Sequence, residues 1–255
     1  MSKTASPGRR EGDHQPRPKE ADMTFQELDL RPRVAAPRLA WFRTGVAAGP
    51  LFLLLSLLQL PLKDGFDLSR HAFSYLALGA HGWIQQLNFV TAGVLFILAT
   101  HRLRRSIPGR TRHFAASFGM LMGAGMVVAG VFTVDPSFGF PEGAPAGRPD
   151  TVSASGMLHG VGFVVSMTAW VALLVALGLW LRSNQQRPWS RACFVLAAGL
   201  LLVPAVAATP AGTIVLYVVV SSAFIFTSAV LDHVSRRAGS PDHVHGHGHA
   251  RGSQD

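Results

Sequence analysis

The sequence predicts an all-α fold, a polytopic membrane bundle of six transmembrane helices with its N- and C-termini in the cytoplasm. Three observations support this prediction: the composition, six long apolar stretches, and the distribution of Lys and Arg. Of the 255 residues, 49% are hydrophobic and only 15% are charged, whereas a soluble domain carries about 25% charged residues. This composition indicates a membrane protein.

The six apolar stretches are each close to the roughly 20 residues that cross a bilayer as a helix. The stretches are too long, and alternate too little, for the strands of a membrane barrel. The predicted spans are about 44–62, 83–100, 114–134, 157–181, 192–208 and 213–231.

The two ends of the chain differ in composition from the part between them. Residues 1–38 are polar and basic, and residues 236–255 are polar and rich in His. Segments with so few apolar residues cannot offset their ordering entropy. We therefore expect a disordered N-terminal tail over 1–38, a transmembrane domain over 39–235, and a disordered C-terminal tail over 236–255.

The basic residues predict the orientation in the membrane. Twenty Lys and Arg lie in the two tails and in the connections after the second and fourth spans, against three on the other side, Lys63, Arg70 and Arg148. Cytoplasmic loops carry the excess of Lys and Arg, so both termini are expected in the cytoplasm and the protein in the cell membrane. The net charge of +9 then reflects topology, and no nucleic-acid partner is expected.

Two further patterns predict local structure. Residues 67–78 place apolar side chains at helical spacing behind Asp67, which predicts a short interfacial helix ending at Gly79. The third and fourth spans are rich in Gly, and small residues four apart allow close helix packing in lipid. We expect these two spans to pack on each other within one chain, with a homodimer through the same glycines as the alternative.

Four polar residues are predicted on the outer face: Asp67, His71, Asp135 and His159. Carboxylates and imidazoles that meet at one membrane face could hold zinc or another divalent metal, or act as general acid and base. We expect His71 and His159 to approach each other with the two Asp residues beside them. The alternative interpretation makes all four residues local caps and loop contacts.

The C-terminal tail carries a second, weaker candidate for metal binding. His-rich tracts can bind zinc, nickel or copper, but the glycines between these residues favour weak, adventitious binding. The four His residues at alternate positions are His243, His245, His247 and His249. The single cysteine, Cys193, excludes an internal disulfide and is interpreted as a packing residue.

Two segments resemble a known family. The stretch SRHAFSYLALGAHGWIQQLNFVTAGVLFILA resembles the Ser-x-x-Gly…Trp…Asn-Phe-x-x-x-Gly segment of domain-of-unknown-function family 998. The later VFTVDPSFGFPEG…SASGMLHGVGF resembles that family's loop with an Asp, a Pro-rich stretch and a Gly-x-x-His entry to a helix. The resemblance covers about residues 40–235 and implies a prokaryotic six-helix membrane protein, but no reaction and no catalytic residues.

The expected function is that of a membrane protein without a known reaction, which binds membrane lipid or a small apolar ligand or supports a membrane partner. No Asp, Glu, Lys or Arg lies deep in a predicted span, which argues against ion-coupled transport. The alternative is a membrane-embedded hydrolase, metal-dependent or acid–base, with its site at the outer face.

Overall fold

The computed structural model describes residues 44–238 except 106, 108, 207, 208, 210 and 211. Two short 3-10 helices, Leu60–Leu62 and Phe73–Ala77, lie between the first two long helices. The six long helices are α1 Thr44–Leu58, α2 Gly82–Leu103, α3 Thr111–Val131, α4 Ala154–Ser183, α5 Arg187–Val206 and α6 Gly212–Ala238. All six, with α1 extended by its 3-10 turn, are long and apolar enough to cross a membrane, so the predicted all-α fold with six membrane-spanning helices is confirmed. The cytoplasmic position of the two termini stays a prediction.

Several helices extend beyond the predicted spans because polar residues at their ends continue the helix. Helix α4 starts three residues earlier, where the Ser153 hydroxyl accepts a hydrogen bond from the Gly156 amide at 3.0 Å and caps the first turn. Helix α2 continues through His101 and Arg102, basic residues that suit the negative end of the helix dipole. Residues 1–43 and 239–255 lie outside the described part of the chain, so the two predicted tails stay predictions.

The helices follow one another around the bundle in chain order, and α6 returns to pack on α1. At this last contact the Gly49 amide donates to the Ser228 hydroxyl at 3.0 Å. A side chain at Gly49 would collide with the Phe224 carbonyl, so the two helix backbones approach closely at this point. The bundle is therefore a closed ring of six helices.

Glycines set the close packing of α2, α3 and α4. A Cβ placed on Gly125 of α3 would lie 2.6 Å from the Gly162 carbonyl oxygen of α4. On the other side of α3, a Cβ on Gly123 would lie 2.5 Å from the Gly93 carbonyl oxygen of α2. The predicted packing of the third span on the fourth is confirmed. The homodimer through the same helices stays a prediction.

A cluster of neutral polar side chains joins α1 to α2. The Gln59 amide donates to Gln85 Oε1 at 2.8 Å, and the Asn88 amide donates to the Ser56 hydroxyl at 3.2 Å. Asn88 also donates to the Phe52 carbonyl at 2.9 Å. Interhelical hydrogen bonds of this kind stabilise helix association in lipid.

The predicted interfacial helix over residues 67–78 is wrong. Asp67 Oδ1 accepts from both the amide and the hydroxyl of Ser69, at 2.8 and 2.7 Å, which closes a tight turn in place of a helix cap. The chain then forms the 3-10 helix Phe73–Ala77, in which four of five residues are buried. An interfacial helix needs one exposed polar face, and this segment buries side chains in several directions.

Candidate functional site

An apolar pocket opens between α4 and α6, in the half of the bundle that carries the α1–α2 and α3–α4 connections. We call this half the outer half, after the orientation that the charges predict. The empty volume of the pocket, including its mouth, is about 650 Å³. Its walls come from five of the six helices, without α5, and from residues 72–74. The seven Phe, Tyr and Trp side chains of this wall are Phe52, Phe73, Phe89, Phe163, Trp170, Tyr217 and Phe224.

One face of α4 forms a wall of the pocket. Its lining residues recur at helical spacing, so their side chains share one face. They are His159, Phe163, Ser166, Met167 and Trp170. Phe163 is 40% exposed, and Met167 on α4 and Leu216 and Val220 on α6 are half-buried. The pocket therefore opens to the side of the bundle, where a membrane protein meets lipid.

The deep end of the pocket is a packed aromatic cluster. The Trp170 indole N–H donates to the Thr227 hydroxyl at 2.8 Å, which ties α4 to α6. The Trp170 ring meets Phe224 edge-on at 4.7 Å between ring centroids, and Phe224 stacks on Phe52 at 4.5 Å. These contacts fix the closed end of the pocket with rigid side chains from three helices.

His159 is the polar residue of the wall nearest the start of α4, and it is only 7% exposed. Its Nδ1 lies 2.9 Å from two carbonyl oxygens, those of Ala129 and Phe132. A carbonyl only accepts, so Nδ1 carries the hydrogen. Within the described residues, Nε2 of His159 makes no hydrogen bond. Ser166 is 2% exposed, and its hydroxyl finds no partner in the described part of the chain.

His71 holds the outer loops together above the pocket. Its Nδ1 accepts from the Asp67 amide at 2.9 Å, and its Nε2 therefore donates to the Phe138 carbonyl at 3.0 Å. The Tyr217 hydroxyl of α6 donates to the His71 carbonyl. The ring packs among three aromatic side chains, those of Phe66, Tyr75 and Phe140. Both ring nitrogens of His71 are thus used within the loops.

Asp135 positions the start of α4. Its Oδ2 accepts from the Ser153 amide at 3.0 Å, and its Oδ1 accepts from the Ser153 hydroxyl. The carboxylate also lies where a Cβ on Gly156 would be, so only glycine fits beside it. Both carboxylate oxygens are engaged in ordering the first turn of α4.

The structure therefore places the four predicted site residues in local contacts. Asp67 and His71 touch each other in one loop, Asp135 contacts Ser153, and only His159 lines the pocket. Among the described residues, no three His, Cys, Asp or Glu form a group that could hold a metal. These are the contacts that the alternative interpretation describes, in which the four residues act as local caps and loop contacts. The metal, acid–base and hydrolase roles stay predictions, for which zinc analysis of protein lacking the His-rich tail is the measurement.

Lys63 is one of the three basic residues predicted on the outer side, and the structure gives it a second role. It is only 6% exposed, and its ammonium donates to the Leu78 and Ala80 carbonyls at 2.6 and 2.7 Å. Burial lowers the pKa of this amine from its ordinary value. Lys63 thus joins the end of α1 to the residues that enter α2.

The comparisons with known proteins identify a family. A family model described as "Protein of unknown function (DUF998)" matches residues 46–231. Neither the search of curated proteins nor the search of solved structures gave a match. The matched range runs from the first turn of α1 into the last third of α6 and includes the whole pocket wall. This chain is a multi-pass membrane protein that belongs to the DUF998 family.

Proposed function

We propose that the protein binds a lipid or another small apolar molecule in the pocket between α4 and α6. The observation that carries the proposal is the pocket itself, with its aromatic wall and its opening to the side of the bundle. Ligand pockets in proteins are lined mainly by apolar and aromatic side chains.

The chemistry of the wall limits the ligand. Among the lining residues there is no Asp, Glu, Lys or Arg. An ion in such a site would lose its hydration without a counter-charge, which is costly. The wall therefore suits a hydrocarbon chain or a neutral molecule.

The source of affinity differs from that of a soluble binding protein. A ligand that enters from lipid already lies in an apolar medium, so apolar burial supplies little free energy. The free energy of binding must then come from close packing and from hydrogen bonding. The fixed rings of Phe52, Trp170 and Phe224 offer such packing to a chain that matches the shape of the pocket, so they favour selective binding.

A photo-cross-linking experiment tests this proposal. Membranes that contain the protein are exposed to an alkane chain carrying a diazirine, irradiated, and the labelled peptides are mapped by mass spectrometry. We expect labelling of the pocket faces of α4 and α6. Val220→Trp fills the pocket and should reduce this labelling several-fold.

The matched control is Val218→Trp, because Val218 lies two residues away on α6 and is 61% exposed outside the pocket. This variant adds the same side chain to the lipid-facing surface and should leave pocket labelling unchanged. Equal labelling of both variants and the wild type would show that the chain does not occupy the pocket, and would refute the proposal.

The location is proposed on the sequence alone. The excess of twenty basic residues over three supports insertion in the plasma membrane with both termini in the cytoplasm. In that orientation the mouth of the pocket opens into the outer leaflet. Cysteine labelling, described below, tests the orientation.

A further inference from the structure

We propose that the pocket selects a neutral long-chain lipid alcohol, with its hydroxyl hydrogen-bonded to His159 Nε2 and its chain extending toward Trp170. This inference rests on the proposed function, because it names the chemical class of ligand for the same pocket. It follows from the hydrogen bonds that the pocket residues make and from those that they leave unmade.

His159 presents an acceptor to the ligand. The carbonyls of Ala129 and Phe132 both take Nδ1 as their donor, so the neutral imidazole carries its hydrogen on Nδ1 and has a lone pair on Nε2. The imidazole lines the pocket. A ligand group that donates a hydrogen bond fits this nitrogen, whereas an ether, ester or ketone oxygen does not.

The absence of charge from the wall excludes the common ionic lipid groups. A phosphate or carboxylate would need a basic side chain or several donors, and no Arg or Lys is among the lining residues. A hydroxyl is neutral, donates one hydrogen bond, and is carried by many lipids. An alcohol is therefore a donor that fits His159 in this wall.

The position of His159 also matches the direction in which a lipid alcohol lies. His159 is in the second turn of α4, near the end of the bundle, and Trp170 is eleven residues further along. At 1.5 Å per residue these positions are about 16 Å apart along the helix axis, which is close to the length of a chain of about 12 carbons. A hydroxyl at His159 then lies near the membrane surface, and the chain points toward the bilayer centre.

Ser166 is a buried competing site for the hydroxyl. A serine in a helix often returns its hydrogen bond to the carbonyl four residues earlier, as Ser56 does to Phe52 at 2.9 Å. The Ser166 hydroxyl is unpaired within the described chain. However, Ser166 lies about 10 Å deeper than His159 along α4, so a hydroxyl there would be drawn far below the membrane surface.

The test is a competition series in lipid nanodiscs that contain the full-length protein. The diazirine alkane labels the pocket, and unlabelled 1-hexadecanol, 1-methoxyhexadecane or hexadecanoic acid competes at known mole fractions of lipid. We expect the alcohol to displace the probe at a mole fraction about five- to tenfold lower than the methyl ether, which is the effect of one net hydrogen bond. Equal competition by alcohol and ether would overturn the inference.

Two variants locate the hydroxyl. His159→Asn keeps an N–H near the position of Nδ1 and removes the Nε2 acceptor, so the preference for alcohol should fall to about one while the ether still competes as in wild type. Ser166→Ala is the control inside the pocket and should keep the preference. Loss of the preference in Ser166→Ala alone would place the hydroxyl at Ser166 and overturn the assignment to His159.

The remaining outcomes separate this inference from the proposed function. Stronger competition by hexadecanoic acid than by the alcohol would refute the selection of an alcohol and leave binding in the pocket intact. Failure of all three compounds, together with labelling that Val220→Trp does not reduce, would refute the proposed function itself. The wild-type series decides the chemical class even if His159→Asn does not fold.

Discussion

Substitution of Gly125 by Ala tests the close packing of α3 on α4. A Cβ at this position would lie 2.6 Å from the Gly162 carbonyl oxygen, 2.7 Å from the Ser166 amide nitrogen and 2.9 Å from the Ser166 Cα. All three atoms belong to the α4 backbone, so no side-chain rotation relieves the overlap. Because the optimal separation of such atoms is about 3.5 Å, the two helices would have to move apart by about 1 Å.

The cost of this movement follows from the packing that it breaks. A gap of 0.5–1 Å forfeits roughly a quarter to a half of each contact energy along the helix pair. Overpacking of a close-packed interior typically costs about 1–3 kcal/mol. We therefore expect Gly125→Ala to lower the free energy of unfolding by about 2 kcal/mol, since the overlapped atoms belong to the α4 backbone.

Gly160→Ala is the matched control, because a Cβ on Gly160 meets nothing within 4 Å. Both substitutions replace Gly by Ala inside a helix, which by itself is favourable by up to about 1 kcal/mol. The assay is thermal unfolding of the purified protein in detergent, with both variants and wild type measured side by side. Gly125→Ala should melt lower, and Gly160→Ala at or above wild type. Equal melting temperatures would refute the argument from close approach.

Three further predictions concern the orientation, the tail and Lys63. In a Cys193→Ala background, Ser69→Cys should react with a membrane-impermeant thiol reagent in intact cells and Ser183→Cys only after lysis, and the reverse pattern would invert the topology. Deletion of residues 243–249 should abolish weak nickel or zinc retention on a metal column, and retention by the deleted protein would contradict the tail assignment. Burial lowers the pKa of Lys63 below 10.5, so the folded state releases this proton first and the unfolding free energy should rise with pH between that lowered pKa and 10.5. Lys63→Met should remove this rise in pH-dependent unfolding measurements.

The fold could be predicted from the sequence because bilayer thickness and the cost of unpaired backbone groups leave few solutions. Each of the six apolar stretches of the right length therefore forms a helix. The segment after Asp67 was not predicted correctly, since the spacing of Leu68, Ala72 and Tyr75 suits an amphipathic helix. The Ser69 amide and hydroxyl close a turn on Asp67, and such a local hydrogen bond competes with helix formation.

The pocket could not be predicted from the sequence, for a reason that holds in any lipid-embedded protein. Phe163 and Met167 line the pocket, whereas Val164 on the same helix is 60% exposed on the outside. All are apolar, because lipid and a dry pocket favour the same side chains. The polar residues are more informative, because the position of His159 at the start of a span predicts a site residue from the sequence. Its carbonyl partners and free nitrogen emerged only from the geometry of α3 and α4.

The closed ring of helices described above has a consequence for synthesis in the membrane. Because each helix packs on the one made just before it, α1 to α5 can associate in order as they leave the ribosome. Helix α1 meanwhile keeps its Gly49 face open, since the Ser228 hydroxyl and the Phe224 backbone that cover it are made last. A nascent chain that ends before α6 therefore leaves the Gly49 face of α1 uncovered and lacks one wall of the pocket. Completion of the pocket and completion of the bundle are therefore the same event.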